Sequence, residues 1–408
     1  MKILMVNKYL MPKGGAETYV FEVGKQLDRM GHQVQYFGMD HPKRIVGNRA
    51  GVYVKYMDFH SSGLAKLTYP LHIIYSREAK RKIMKVIADF QPDIVHLNNF
   101  NYQLTPSVIY GVRRAEKKLG RSVKIVLTAH DVQLSCPNHM MNNPVTHENC
   151  EKCVTDGYWN CVRGRCIHQS RLRSALGALE GWIYHRLNTY RHIDLTIYPS
   201  AFISTKLNSN PELKKRYVVL HNFVTETEPK PERMNKEDYV LYFGRFSHEK
   251  GMETLIEVCR ALPQIRFQFA GSGPLEDLLT DVKNAECVGF QTGEALQERI
   301  AKARYSVLPS EWYENCPFSV LESITCHTPV IGARIGGIPE LIRDGETGLL
   351  FESGNTEDLR DKISALWHDR ELLERMTENC SAEEFDDVRS YCEKLVRQYE
   401  ALRQEGHR

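Results

Sequence analysis

Short apolar runs alternate with amphipathic helical stretches along this chain, and the alternation happens twice. KILMV (2–6) is followed by AETYVFEVGKQLDRM, closed by Gly31, and then by HQVQYFGM. Within that helix Val20, Val23, Leu27 and Met30 recur at three- and four-residue steps, which places them on one buried face. Strand, helix and strand make a βαβ unit. DIVHL (93–97), VKIVLTA (123–129), DLTIYPS (194–200) and YVVLHN (217–222) follow, separated by helical stretches. Such a series predicts a parallel sheet covered on both faces.

TETEPKPERMNKED (225–238) is polar, proline-containing and aperiodic, as an interdomain linker would be. A second series then begins: YVLYFGR, a helix from about Gly251, IRFQFAGSGP, ARYSVLPS, CPFSVLESITC and TPVIGARIGG. The predicted organisation is 1–224, 225–387 and a closing charged amphipathic helix within 388–408 that needs a surface to pack on. At 408 residues, 42% apolar and 26% charged, the chain fits two soluble α/β domains. No segment has the length and apolarity of a membrane span, and MKILMVNKYLMPKGG lacks a signal-peptide core, so the expected location is the cytoplasm.

Charge is unevenly spread. Residues 1–224 hold 32 Lys and Arg against 16 Asp and Glu, a net +16, which leaves 22 against 35, a net −13, for the rest. A basic half can attract nucleic acid, an anionic membrane, a phosphorylated substrate or the acidic half of its own chain.

The loops that follow strands carry the candidate chemistry. GRFSHEKG sits between the first strand of the second series and its helix, so Arg245 and Lys250 would lie at a strand's carboxyl end, where open α/β sheets bind ligands and helix N-termini favour anions. That outlines a diphosphate site; the same octapeptide also fits an exposed loop with ordinary charges. Gly271 and Gly273 in GSGP, and Gly14 and Gly15 after the first strand, let backbone come close to a ligand or simply permit tight turns. In SEWYENCPFSVLE, Glu314 belongs to the loop over a strand end, and Glu322 to a helix that has Pro317 in its first turn. The amides of Asn315, Cys316, Pro317 and Phe318 would open that helix toward an anion or a sugar hydroxyl, although proline contributes no N–H. Two unrelated surface glutamates would have the same spacing.

Cys150 and Cys153 form a C-x2-C pair, and Cys161 and Cys166 a C-x4-C pair, within a polar insertion spanning 136–168. Four thiolates so spaced suit a tetrahedral structural zinc, with Cys136, His139 or His168 as substitute ligands. Surrounding residues show no repeated basic and aromatic pattern, which argues against nucleic acid. Downstream, Leu172, Leu176, Leu179, Trp182, Ile183 and Leu187 face one way on an amphipathic helix. Such a stripe either faces the core or, together with Arg77, Lys80, Arg81, Lys82, Lys85, Arg113, Arg114, Lys117 and Lys118, contacts anionic lipid at the inner membrane face.

In order along the chain, GGAE, QPDIVHLNN, LTAHD, YPS, HNFV, GRFSHEKG, FAGSGP, VLPSEWYENCPFSVLE and TPVIGARIGGIPELIRDGETGLLF resemble the retaining nucleotide-sugar transferases of the GT-B fold, specifically glycosyltransferase family 4. The resemblance implies two Rossmann-like domains facing a cleft, an acceptor-side domain first and a donor domain second, with the closing helix crossing back to the first domain. It implies that Arg245 and Lys250 hold the donor diphosphate, that Glu322 accepts from the ribose hydroxyls, and that Glu314 and the amides of 315–318 meet the transferred sugar. His130, in LTAHD, resembles the family's cleft histidine; a histidine satisfied at a strand end is the other reading. The donor would be a UDP-, GDP- or ADP-sugar and the acceptor a glycan or lipid-linked intermediate, in surface polysaccharide or glycoconjugate synthesis. Some members carry a similar cysteine-rich insertion. The chain has no Asp-x-Asp pair, so fixed positive charge, not a catalytic divalent metal, is expected to stabilise the leaving diphosphate. A nucleotide-sugar epimerase and a non-catalytic zinc-knuckle binding module are the alternatives.

Overall fold

The computed structural model describes residues 1–57, 69–214, 216–224 and 234–405, with the side chains of 69–71 left aside. Nine residues of the expected linker, 225–233, therefore lie outside the described residues. The chain divides into two compact units: Met1–Thr146, Cys150–His221 and Val388–Arg408 form the first, and His147–Asn149 with Asn222–Asp387 the second. No helix among the described residues is long and apolar enough to cross a membrane.

The first unit is built on six parallel strands, β1 (Lys2–Val6), β2 (Gln33–Phe37), β3 (Ile94–Leu97), β4 (Lys124–Thr128), β5 (Leu195–Tyr198) and β6 (Tyr217–Val219). Their order is β2-β1-β3-β4-β5-β6. Every residue of β3 and β5 is buried, as strands covered on both faces must be, and this is why they read as mostly apolar runs and not as alternating ones. Register follows Ile3 opposite Ile94 and Ile94 opposite Lys124. The order reverses at β1, so the loops leaving β1 and β3 lie side by side, the place where doubly wound sheets form a binding crevice.

Helix Gly15–Arg29 follows β1, with Tyr19, Val20, Val23 and Leu27 buried. The closing helix Val388–Glu405 belongs to this unit and buries Val388, Tyr391, Cys392, Leu395, Tyr399 and Leu402, a stripe at three-, four- and seven-residue steps. It packs on Gly15–Arg29. Tyr391 and Tyr19 share a hydrogen bond at 2.8 Å, and Tyr399 meets His96 Nδ1 at 2.6 Å. The surface this helix needs is thus the first unit's own.

The second unit has strands β7 (Glu237–Arg245), β8 (Phe267–Ser272), β9 (Ala285–Gly289), β10 (Ala303–Leu308), β11 (Val330–Ala333) and β12 (Gly348–Phe351), ordered β12-β11-β10-β7-β8-β9 and all parallel. Here the order reverses at β7, and the carboxyl ends of β7 and β10 become neighbours. β10 is wholly buried; β9, with two exposed residues at the sheet edge, is the strand whose apolar signal is weakest. The helix expected at 316–326 runs Phe318–Thr325, and Pro317 stands before it in an extended conformation. A proline lacks the N–H and has the fixed φ suited to that boundary.

Candidate functional site

The reversal at β7 brings two loops together in the second unit. The segment after β7 carries Arg245 and Lys250, and the segment after β10 carries Ser310, Trp312 and Glu314. Lys250 Nζ donates to Glu314 Oε1 at 2.6 Å, and Ser310 Oγ donates to the same oxygen at 2.7 Å. Lys250 also lies 5.1 Å from the centroid of the Trp312 ring. Glu314 is 6% exposed, and burial alone would push its carboxyl upward. The Lys250 charge and the hydrogen bonds from Lys250 and Ser310 outweigh that and hold it below the usual carboxylate range. It is therefore an anion at neutral pH, fixed against a cation in a poorly solvated place.

Glycines let these loops approach so closely. Gly251 has φ +68°, and a Cβ there would fall 1.8 Å from the Pro309 carbonyl oxygen. Gly336 has φ +60°, and its Cβ would fall 2.2 Å from the Glu314 carbonyl oxygen, which accepts from Gly337 N at 2.8 Å. Gly271 and Gly273 sit where a Cβ would meet the carbonyl oxygens of Gly244 and Phe246 at 1.9 and 2.3 Å. Those two glycines serve backbone packing between the loops after β7 and β8.

Arg245, at the end of β7, is exposed and forms no ion pair among the described residues. Glu322 is half-buried on helix Phe318–Thr325, and its carboxylate has no hydrogen-bond or charged partner among the described residues; burial pushes it up to about 7. Cys316 is spoken for: its Sγ accepts from Asn222 N at 3.2 Å and its carbonyl from Asn222 Nδ2 at 2.8 Å. Phe318 meets Phe223 edge to face.

In the first unit, Gly14 and Gly15 are exposed after β1. A Cβ at Gly14 would meet only Glu17 Oε2, at an ordinary 3.8 Å, so neither packing nor a positive φ demands glycine there. His130 follows β4 and lies in a pocket with Asn98, Asn101, Thr128, Asp131 and Gln133. Its Nε2 is 2.9 Å from Asn98 Oδ1, and its ring stands edge-on to Tyr19 at 4.7 Å between centroids. Desolvation pulls His130 down to about 4 despite an upward pull from Asp131, so the ring is neutral at physiological pH. Behind it Thr128 Oγ1 bonds Tyr19 and His96, at 3.1 and 2.7 Å, and these two bond Tyr391 and Tyr399. This buried chain of tyrosines was not legible from spacing; its only sequence signal is the unusual polarity of His96 inside the apolar run IVHL.

The cysteines depart from expectation. All eleven are free thiols, and among the described residues no group of three or more His, Cys, Asp or Glu side chains is arranged to hold a metal. Cys150, Cys153, Cys161 and Cys166 do not form the predicted zinc tetrad, and neither Cys136, His139 nor His168 completes one. The turns after Cys136 bring it near Cys153, as Cys161 is near Cys166. In each pair the neighbouring thiol eases ionisation of one partner, Cys136 or Cys166, and hinders it in the other. Cys136 further donates to Asn138 Oδ1 at 2.9 Å. Linear spacing anticipated two local pairs; the loop's path exchanged one partner.

The family model described as Glycosyltransferase Family 4 matches residues 13–228, just over half of the chain. The chain belongs to glycosyltransferase family 4. The model for Glycosyl transferases group 1 matches the remainder through 224–382. A sulfoquinovosyl transferase of Arabidopsis thaliana is 29% identical over 315 residues, which is 72% of this chain and only 53% of that protein's length. An N-acetyl-alpha-D-glucosaminyl L-malate synthase of Bacillus anthracis is 25% identical over 401 residues, 95% of this chain and 93% of the relative. The crystal structure of Anabaena HepE in complex with UDP superposes with a TM-score of 0.66 at 16% identity, covering 98% of this chain and 100% of HepE. With two six-stranded parallel sheets, this family 4 chain has the two-domain α/β GT-B fold.

Proposed function

We propose that the protein moves a sugar from a nucleotide diphosphate sugar to a hydroxyl of a glycan or lipid-linked acceptor in glycoconjugate synthesis, with retention at the anomeric carbon. The observation that carries this reading is the Lys250–Glu314 pair at the β7/β10 reversal. It places a fixed ammonium where strand ends and helix starts in such sheets receive phosphate. Arg245, exposed at the end of β7, adds a guanidinium fork for the second phosphate. Glu322, a carboxylate without a partner among the described residues, suits the ribose hydroxyls, and HepE, which binds UDP, supports a nucleotide of this kind.

In the step itself the bond from the anomeric carbon to the diphosphate oxygen breaks and negative charge gathers on the leaving phosphate. Lys250 and Arg245 stabilise that charge, and Lys250 does so without reorganising, because Glu314, itself held by the Ser310 hydroxyl, already fixes the ammonium in place. The acceptor oxygen bonds to the same face, and its proton passes to the departing phosphate oxygen. Glu314 has two roles: it orients Lys250, and its other oxygen meets the sugar. His130, neutral, can offer hydrogen bonds but not charge within the first unit's own pocket.

Nucleotide release from UDP-, GDP- and ADP-sugars, followed with and without acceptor extract, tests the reading. Acceptor-dependent release, together with an unchanged anomeric configuration in the product, supports it. Release that needs no acceptor would instead mark an epimerase or hydrolase. No release with any donor would leave a binding protein.

A further inference from the structure

The helix Arg171–Arg186 turns its apolar stripe away from the core, the second of the two orientations its sequence allows. It buries Ser174, Gly177, Ala178, Glu180 and Tyr184, a face of mostly small residues. A Cβ at Gly177 would come within 2.5 Å of Ile167 and 2.9 Å of the Tyr102 hydroxyl, so that face is packed too closely for anything larger. The apolar stripe points outward: Leu172 is 71% exposed, Trp182 50%, and Leu187, just past the helix, 57%. Leu176, Leu179 and Ile183, on the same stripe, are half-buried. The short helix Trp159–Arg163 packs alongside and adds Trp159 at 53%.

Around these side chains stand Arg163, Arg165, Arg171, Arg173 and Arg186, all exposed and none in an ion pair among the described residues. The one acid of the helix, Glu180, is buried. Outward leucines and tryptophans rimmed by arginine, with no exposed carboxylate on the helix, match a segment lying in the plane of a bilayer surface. We infer that this face docks the first unit onto an anionic lipid bilayer, with Leu172, Trp159, Trp182 and Leu187 entering the headgroup boundary and the arginines meeting lipid phosphates. A second copy of the chain is a poorer occupant: a two-fold contact through this face would set arginines against arginines. An anionic leaflet supplies the charge that the surface lacks. The inference is independent of the transfer chemistry.

Co-sedimentation of the full chain with phosphatidylcholine vesicles and with phosphatidylcholine–phosphatidylglycerol vesicles, at low and physiological salt, tests it. Binding is expected to the anionic vesicles and to weaken with salt. The variant Leu172→Glu/Trp182→Glu should lose at least about tenfold in partitioning. Arg171→Gln/Arg173→Gln/Arg186→Gln should lose about fivefold for each charge. Both variants should keep the wild-type melting temperature and the wild-type turnover of soluble substrate. Absence of wild-type binding to anionic vesicles, or equal binding by either variant, overturns the proposal. A wild-type dimer in light scattering that Leu172→Glu/Trp182→Glu dissociates would assign the face to a second copy instead.

Discussion

Lys250→Met tests the centre of the site, because it separates the ammonium's structural role from its catalytic one. The wild-type pair is short, 2.6 Å, with the lysine side chain 23% exposed and the glutamate side chain 8% exposed. Removing the lysine strands a buried carboxylate, which costs about 3 to 5 kcal/mol when a buried pair is broken from one side. Removing the carboxylate with Glu314→Gln should cost less, about 1 to 2 kcal/mol, because Lys250 can turn its head toward water. The double variant has no stranded charge and should return to within about 1 kcal/mol of wild type. The pH dependence distinguishes this account from simple loss of packing. In wild type the Glu314 carboxyl is held below its usual range, so its contribution is present above its unfolded pKa and is lost as pH falls through the folded one. In Lys250→Met burial is opposed only by the Ser310 and Trp312 side chains, the folded pKa rises above the unfolded one, and the variant should be least stable at high pH and recover as pH falls. Hydrogen exchange at the β7 and β10 amides reads the second unit's stability directly. Transfer should fall by roughly 100- to 1,000-fold in Lys250→Met and stay low in the double variant, since stability returns without the charge. A double variant with restored turnover, or a Lys250→Met protein as stable as wild type at pH 8, would refute the reasoning.

Glu322→Gln should raise the Michaelis constant for the donor by roughly 10- to 100-fold, the worth of a charge-assisted hydrogen bond. It should also remove a destabilisation that grows in wild type as pH rises from the unfolded carboxyl's pKa of about 4.3 to the folded value of about 7, and stays at full size above it, because the unfolded chain ionises first; calorimetry across pH checks the second point. Gly336→Ala should destabilise by about 1 to 3 kcal/mol in urea unfolding, since the new Cβ combines a positive φ with a clash against the Glu314 backbone. Tyr399→Phe should cost about 1 kcal/mol by leaving His96 Nδ1 without its partner, measured as a drop in melting temperature. His130, neutral above about pH 4, should not contribute an inflection to the pH–rate profile between pH 5 and 8; an inflection abolished by His130→Asn would show otherwise.

Both sheets were legible because their central strands are buried on two faces, and burial of that kind leaves mostly apolar runs such as IVHL and ARYSVL. The edge strand Ala285–Gly289, with exposed Glu286 and Cys287, carried no such mark. Arg245, Lys250, Glu314 and Glu322 could be singled out by their positions after strands. Their relations could not, because the contact between Lys250 and Glu314 depends on strand order, and order is a long-range property. The same reason explains the cysteines: C-x2-C fixes what can meet locally, whereas Cys136 reaches Cys153 through the path of the intervening turns. Helix Arg171–Arg186 was ambiguous in another way. Periodicity locates an apolar stripe but not the side that packs, and here the close approach at Gly177 selected the small face for the interior.

Net charge gave the poorest guide to where charge acts. Residues 225–408 sum to −13, yet the loops at the β7/β10 reversal present Arg245 and Lys250, because Glu314 anchors the lysine and the loops' other acids, Glu249 and Glu311, accept from Ser247 and Thr254, while many further acids are spread over outer helices such as Thr356–His368 and Arg370–Ala382. The first 224 residues sum to +16, yet the pocket beside His130 is lined by apolar side chains, amides, a hydroxyl, a neutral ring and Asp131, with no lysine or arginine. Its positive charge sits outside, on Arg77, Arg81 and Lys85 of helix Arg77–Phe90, on Arg114, Lys117 and Lys118 of helix Ser107–Leu119, and on the arginines about Trp182. Field strength at a site depends on the few groups held within several ångströms in poor solvent, whereas a sum over a domain is screened beyond about a Debye length of 8 Å at physiological salt. A cationic locus for a leaving diphosphate in an acidic domain, and a neutral pocket for hydroxyls in a basic one, follow from the same distinction. The excess positive charge of the first unit is then free to serve a surface, and an anionic bilayer is the surface on which it would act.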